Sequence, residues 1–215
     1  MCFSAAASFS VAALTGLTGV AAIRQVATPR ELPLAATPLL FAFQQIAEGL
    51  LWLRLTDPDP GFSTVPLSFT FLLFAEVIWP AYTGVAVLLI EPAPRRRYAL
   101  KGIIAIGLVL AGELLRELLA DLPMAEVSGR SIAYGRYAAP LSLDHIPYLA
   151  ATMLPLLISS HGAIRIFGIL MSAGFLVSAY VYTETFVSVW CFFAAAASIM
   201  LYLYFPRAVL KALSR

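Results

Sequence analysis

Apolar runs long enough to cross a lipid bilayer recur from one end of this chain to the other. A hydrocarbon core about 30 Å thick needs roughly 20 apolar residues per helix. Seven segments meet that requirement: 3–23, 33–54, 65–91, 100–120, 143–160, 163–182 and 184–205. Lipid offers main-chain N–H and C=O groups no partner, and a helix pairs them internally. The chain therefore reads as all-α, a polytopic seven-transmembrane-helix bundle forming one transmembrane domain over 1–215. Composition excludes a soluble domain with a single anchor. The chain is 61% hydrophobic and only 12% charged, against about 45–50% and about 25% for soluble domains. The breaks are "RQVATPRELP", "TDPDPGF", "EPAPRRR", a longer stretch from Asp121 to Ser142, "SSHG" and a tight turn around Thr183–Thr185. No internal repeat is visible, and Pro80, Pro147 and Pro155 do not stand out as helix breaks.

The basic residues set an orientation, because cytoplasmic loops carry the excess of Lys and Arg. With the N-terminus outside and the C-terminus cytoplasmic, the inner side holds Arg24, Arg30, Arg95, Arg96, Arg97, Lys101, Arg165, Arg207, Lys211 and Arg215. The outer side holds only Arg54, Arg116, Arg130 and Arg136. The first segment lacks the basic leader of a cleavable signal peptide. No basic stripe with interleaved aromatics points to nucleic acid. Cys2 and Cys191, without a CxxC, build neither a disulfide framework nor a thiolate cage.

The informative residues are the polar ones inside apolar runs. "PLLFAFQQIAEGLLW", residues 38–52, carries Gln44, Gln45 and Glu48. Gln44 and Glu48 lie one turn apart on one helical face, with Phe41 and Trp52 extending the stripe. Glu76 and Glu113 sit in two further runs, again at outer-to-middle depth. A charge at the bilayer centre costs about 2.5–3.5 kcal/mol on insertion scales, so such groups face a protein interior or a watery cavity. Glu48, Gln44, Glu76, Glu113 and His145 are thus candidates to line an outward-facing polar chamber, with Cys2 and Glu184 at its rim. The competing explanation is interhelical hydrogen bonding that only fixes packing, at about 0.6 kcal/mol per bond. Glu113 or Glu117 could equally pair with Arg116.

His145, in "SLDHIPY", begins the fifth run beside Asp144 and could be a base, a metal ligand or a helix-start neighbour. His161, in "SSHG", reads as a solvated loop residue on the opposite membrane face. Any outer site for a divalent metal would therefore combine Glu48, His145 and Cys2, which matches no established ligand pattern. Trp52, Trp79, Tyr82, Tyr148, Tyr180, Tyr182 and Trp190 read mostly as an interfacial aromatic belt. Ser4, Ser8, Ala12 and Gly16 form a small-residue stripe, as do Cys191, Ala194, Ala195 and Ser198; the first run should pack tightly, against the last. Asp121–Ser142, with "SIAYGRYAAPL", could form a short hairpin over the outer mouth.

"MCFSA" at 1–5, "PLLFAFQQIAEGLLW" at 38–52 and "SVWCFFAA" at 188–195 carry a resemblance across the whole chain. It resembles a family of uncharacterised bacterial integral membrane proteins that begin "MCFSA" and share the second-span and last-span motifs. The resemblance implies a bacterial cytoplasmic (inner) membrane protein, and brings no activity, cofactor or site residue with it. Two other seven-span families fail on residues. A retinal protein needs a lysine in its last span, and none lies between Lys101 and Lys211; ceramidase-like hydrolases hold zinc with three histidines.

The carboxylates favour binding or transport of a small cationic or protonatable ligand, a small molecule or an ion, with the lipid bilayer as the other partner and a homo-oligomer compatible with it. A membrane enzyme using Cys2 or a metal centre on a substrate of the outer leaflet is the first alternative, and a structural or assembly subunit the second.

Overall fold

The computed structural model describes residues 4–56, 63–135 and 145–205. Helix α1 (Ala5–Ile23) starts at Ser4, whose hydroxyl accepts from Ala7 N–H at 3.3 Å. A 3-10 turn (Pro29–Glu31) leads into α2 (Leu32–Leu55). Next comes a composite rod: α3 (Val65–Leu72), a π-helical turn (Leu73–Ile78) and α4 (Trp79–Ile90). Helix α5 (Pro94–Ala120) precedes two short strands, β1 (Glu126–Ser128) and β2 (Ser131–Ala133). Then follow α6 (Ile146–Leu157), α7 (Gly162–Val181), a 3-10 turn (Thr183–Thr185) and α8 (Phe186–Ser198), extended by 3-10 turns to Tyr204.

Five stretches are long and apolar enough to cross a membrane: Ala5–Ile23, Pro29–Leu55, Val65–Ile90, Gly162–Val181 and Thr183–Tyr204. Helix α5 has the length, but Arg95–Arg97 and Lys101 charge one end and Glu113, Arg116 and Glu117 the other. Helix α6 is apolar and, at 12 residues, about 18 Å long. The radial distribution is inverted relative to a protein in water. Leu17, Phe43, Leu53, Val109, Ile169 and Leu176 face outward, whereas Gln44, Gln45, Glu48 and Glu76 are buried. An apolar exterior around a polar interior is the arrangement that lipid favours.

Two ends of the bundle can be told apart. The arginine end gathers Arg30, Glu91, Arg95–Arg97 and His161; the hairpin end gathers Thr56, β1, β2 and Thr183–Thr185. Of the expected stripe α1 buries Ser8 and Ala12, whereas Ser4 and Gly16 are half-buried and the buried face continues through Thr15, Gly19 and Ala22. Its main neighbour, however, is α2 rather than the last helix, which α1 touches less extensively. At Gly19 a Cβ would stand 2.7 Å from Leu39 N of α2, so any side chain there would push the two helices apart. The second stripe behaves as read: Cys191, Ala194, Ala195 and Ser198 are all buried.

Within the stretch after Asp121, residues 126–133 fold as a hairpin; residues 136–142 of that stretch lie outside the described residues. Strands β1 and β2 pair antiparallel, with Ser128 opposite Ser131. The two-residue turn needs Gly129, whose φ is +59°, the first turn position that glycine fills at no steric cost. Strand β2 is buried against α8 and the Thr183–Thr185 turn. Ser128 Oγ donates to Glu184 Oε2 at 3.1 Å, fixing the exposed edge.

Candidate functional site

The site begins with Pro80. Lacking an N–H, it cannot serve Glu76 C=O, four residues earlier, nor Ala75 C=O, five earlier. The chain widens instead: Leu73–Ile78 is π-helical, and Trp79 N–H reaches back five residues to Phe74 O. The released Ala75 carbonyl accepts a hydrogen bond from the Tyr148 hydroxyl of α6. The sequence reading passed over Pro80. Its spacing from Glu76 was the signal, because π turns frequently accompany functional residues.

Around this turn lies a buried polar cluster. Trp79 Nε1–H donates to Gln44 Oε1 at 2.9 Å, and Gln44 Nε2 reaches Phe71 O at 3.5 Å. Glu48 accepts from Ser188 Oγ at 2.5 Å through Oε1 and from Gln45 Nε2 at 3.1 Å through Oε2. Glu76 is 1% exposed, as is Glu48. The thiol of Cys191 lies within reach of the Gln44 side chain and of the electrostatic field of both acids. Acids from α2 and the α3–α4 rod therefore converge on α8. Gln45 Oε1 and Tyr134 Oη are buried polar atoms with no hydrogen-bond partner among the described residues. Tyr134 follows β2 and stacks on Phe71 with centroids 4.8 Å apart. Burial, and then the neighbouring Glu48 carboxyl, push its phenol well above the ordinary value of 10.0. It stays a neutral hydroxyl that covers the cluster from the hairpin end.

The other expected site residues are distributed elsewhere. Glu113 is 62% exposed and pairs with Arg116 Nε at 3.1 Å, on the outside of α5. An acid with a basic partner three residues on has no need to face inward. Glu184 is exposed and accepts from Ser128. His145 is half-buried at the start of α6. Cys2 and Asp144 lie outside the described residues, and with Cys2 so does the complete Glu48–His145–Cys2 metal set. Among the described residues no group of three His, Cys, Asp or Glu is placed to hold a metal ion. Trp52, Trp79 and Trp190 are buried rather than belted at the surface, and Trp190 Nε1–H donates to Met171 O at 3.2 Å. Ser188 and Tyr134 were missed by sequence reading. Ser188 stands one turn before Cys191 on the same face, which extending the small-residue stripe would have revealed; nothing local marks Tyr134.

The family model described as a family of unknown function, DUF6629, matches residues 1–214. The chain belongs to DUF6629. No curated protein and no solved structure matches it.

This DUF6629 chain carries a second polar cluster at its arginine end. Glu91, just past α4, accepts from Ala93 N–H at 3.1 Å, Ser160 N–H at 2.8 Å and the Ser160 hydroxyl. Burial opposes the charge on Glu91. The Ser160 and Ala93 hydrogen bonds and the nearby His161 outweigh it and hold the carboxyl below its ordinary 4.5. Arg97 Nη1 donates to Leu88 O at 2.8 Å and Glu91 O at 3.1 Å, satisfying carbonyls that the end of α4 leaves open. Contrary to the solvated-loop reading, His161 is half-buried, with Nε2 3.1 Å from Ile90 O and its ring edge-on to Tyr204. Every group here has a structural partner, which makes this cluster a fastening of α4 to α7.

Proposed function

We propose that this is a seven-span protein of a bacterial cytoplasmic membrane, N-terminus outside and C-terminus inside. Its single transmembrane domain binds or carries a small cationic or protonatable ligand at the buried acids Glu48 and Glu76, with Gln44, Gln45, Ser188 and Tyr134 around them. The observation that carries this reading is Glu48. Its carboxyl is buried in the bundle, and its partners are a serine hydroxyl and a glutamine amide, with no Lys, Arg or His among them. Buried acids are ordinarily paired, hydrogen-bonded to satisfaction or neutralised by a proton. Beside it Gln45 Oε1 is a spare acceptor, so the cluster offers a donor-bearing cation an oxygen it does not otherwise use.

The test is thermal unfolding of purified protein in detergent, titrated with Na+, K+ and ethylammonium. A ligand that binds only the folded state stabilises it by about 2.7 kcal/mol at a hundredfold excess over Kd. Stabilisation by one of these probes in the wild type, lost in Glu48→Gln and retained in Glu113→Gln, supports the reading. The second reading, a structural subunit, has one observation in its favour: both Glu48 oxygens are already hydrogen-bonded. Absence of any probe effect, with Glu48→Gln at least as stable as wild type, would establish it instead.

A further inference from the structure

The exposed charges at the arginine end are all of one sign. Arg24, Arg30, Arg95, Lys101 and Arg165 are exposed there, whereas the acids of that end, Glu31 and Glu91, are buried. Glu31 accepts from Ala27 N–H at 2.9 Å, and Glu91 is taken up by Ala93 and Ser160. Contacts of Gln25 with Tyr202, His161 with Tyr204 and Arg96 with Ser160 join these segments into one surface. None of the exposed bases there has an acid partner among the described residues, whereas Arg116, towards the hairpin end, stands between Glu113 and Glu117.

Helix α5 joins this charge to an apolar surface. Arg96 and Arg97 are committed to Ser160 Oγ and to carbonyls at the end of α4, which leaves Arg95 and Lys101 outward. Between them Tyr98 is 75% exposed, with Lys101 Nζ 5.5 Å from its ring centroid. Directly past Lys101 the outward face becomes Gly102, Ala105, Ile106 and Val109, and a Cβ at Gly102 would meet nothing within 4 Å. Bases followed by an apolar strip match the profile of a phospholipid, with charge at the interface and hydrocarbon below it. A soluble anion would use only the first part. Lys and Arg stems lie along hydrocarbon while their heads stay in water, and each base near an anionic membrane surface is worth about a fivefold gain in affinity. We propose that the outer face of α5 binds an anionic phospholipid, its phosphate held by Arg95 and Lys101 around Tyr98 and an acyl chain laid along Gly102 and Ala105. The inference rests on the membrane placement in the preceding reading and not on its cation site, so either site can fail alone.

The full chain is first incorporated into phosphatidylcholine nanodiscs, and failure at that step overturns the membrane placement and this site with it. Protein in detergent is then mixed with equal amounts of dioleoylphosphatidylglycerol and dioleoylphosphatidylcholine, and bound lipid is counted by native mass spectrometry. Phosphatidylglycerol should be retained in excess, and Arg95→Gln combined with Lys101→Gln should weaken its binding about 25-fold. Arg116→Gln, at an exposed base near the other end of α5, should leave it unchanged. Retained melting transitions show that the variants fold. Equal retention of the two lipids, or equal losses in Arg116→Gln and the double variant, overturns the proposal. Polyglutamate held as tightly as phosphatidylglycerol would make this face a docking surface for acidic protein and overturn it too. Should the double variant fail to fold, added NaCl decides on wild-type protein: a preference for phosphatidylglycerol that salt abolishes supports the site, and one that salt leaves intact overturns it.

Discussion

Single residues in this bundle act through what they leave unpaired. Ser188 is the clearest case, since its hydroxyl is the donor closest to Glu48. Ser188→Ala should cost about 1–3 kcal/mol, the range for stranding a buried acceptor, measured by unfolding in detergent. Combining it with Glu48→Leu should recover part of that loss, since removing both partners of a buried bond is close to neutral. Glu91 makes a pH prediction. Its folded carboxyl titrates below its ordinary 4.5, so the folded protein holds this proton less tightly than the unfolded chain does. The resulting stability is complete above the unfolded value and disappears as pH falls through the folded one. Unfolding midpoints recorded downward from pH 6 should therefore drop more steeply below about pH 4.5 in wild type than in Glu91→Gln. At this scale the sequence was partly legible. The "QQIAEG" run foretold a buried polar face, because no other face of α2 could shelter it. Glu113 looked identical by its apolar surroundings, yet Arg116 gives it a partner at the surface. An apolar flank reports depth in a membrane, and it does not report direction around the helix.

Among the elements, the α3–α4 rod shows how one imino acid organises a site. Pro80 removes a main-chain donor, the helix widens, and Tyr148 of α6 fills the vacated role at Ala75 O. The two residues should therefore be energetically coupled. Tyr148→Phe strands a buried carbonyl and should cost about 1–3 kcal/mol in wild type. In a Pro80→Ala background the main chain can supply the missing N–H, so the same substitution should cost clearly less. A double-mutant cycle on unfolding free energies measures the difference, and additivity within error would refute the coupling. Hairpins, tight turns and small-residue stripes could be read beforehand, because each depends on residues close in sequence. The partner of α1 could not. A stripe identifies which side of a helix packs, and the choice between α2 and α8 is made by the loops and by all the other helices together.

For the whole molecule, the connection between span count and orientation is a matter of parity. Five stretches satisfy length and apolarity outright; α5 and α6 complete seven only if α5 accepts charged ends and α6 accepts its shortness. Both conditions have a physical basis. The charges of α5 fall within its first eight and last eight residues, and the long Arg and Lys side chains among them can snorkel toward the interface. Helix α6 packs against α4, α5 and α7, and it runs from Tyr148, bonded to Ala75 O, to the turn before Ser160, which bonds Glu91. Composition showed the environment of this chain directly, since its apolar residues occupy the outside. It was less decisive on topology, which rests on two helices whose membrane credentials come from their neighbours. Parity gives the test. In a Cys2→Ser, Cys191→Ala background, single cysteines at Arg130 and Thr56 mark the hairpin end, and others at Arg95 and Arg165 mark the arginine end. A membrane-impermeant maleimide added to intact cells should label the first pair, and the second only after permeabilisation. If α5 fails to cross, Arg130 and Arg95 will label from the same side; if α6 fails, Arg130 and Arg165 will; either outcome overturns the seven-span reading.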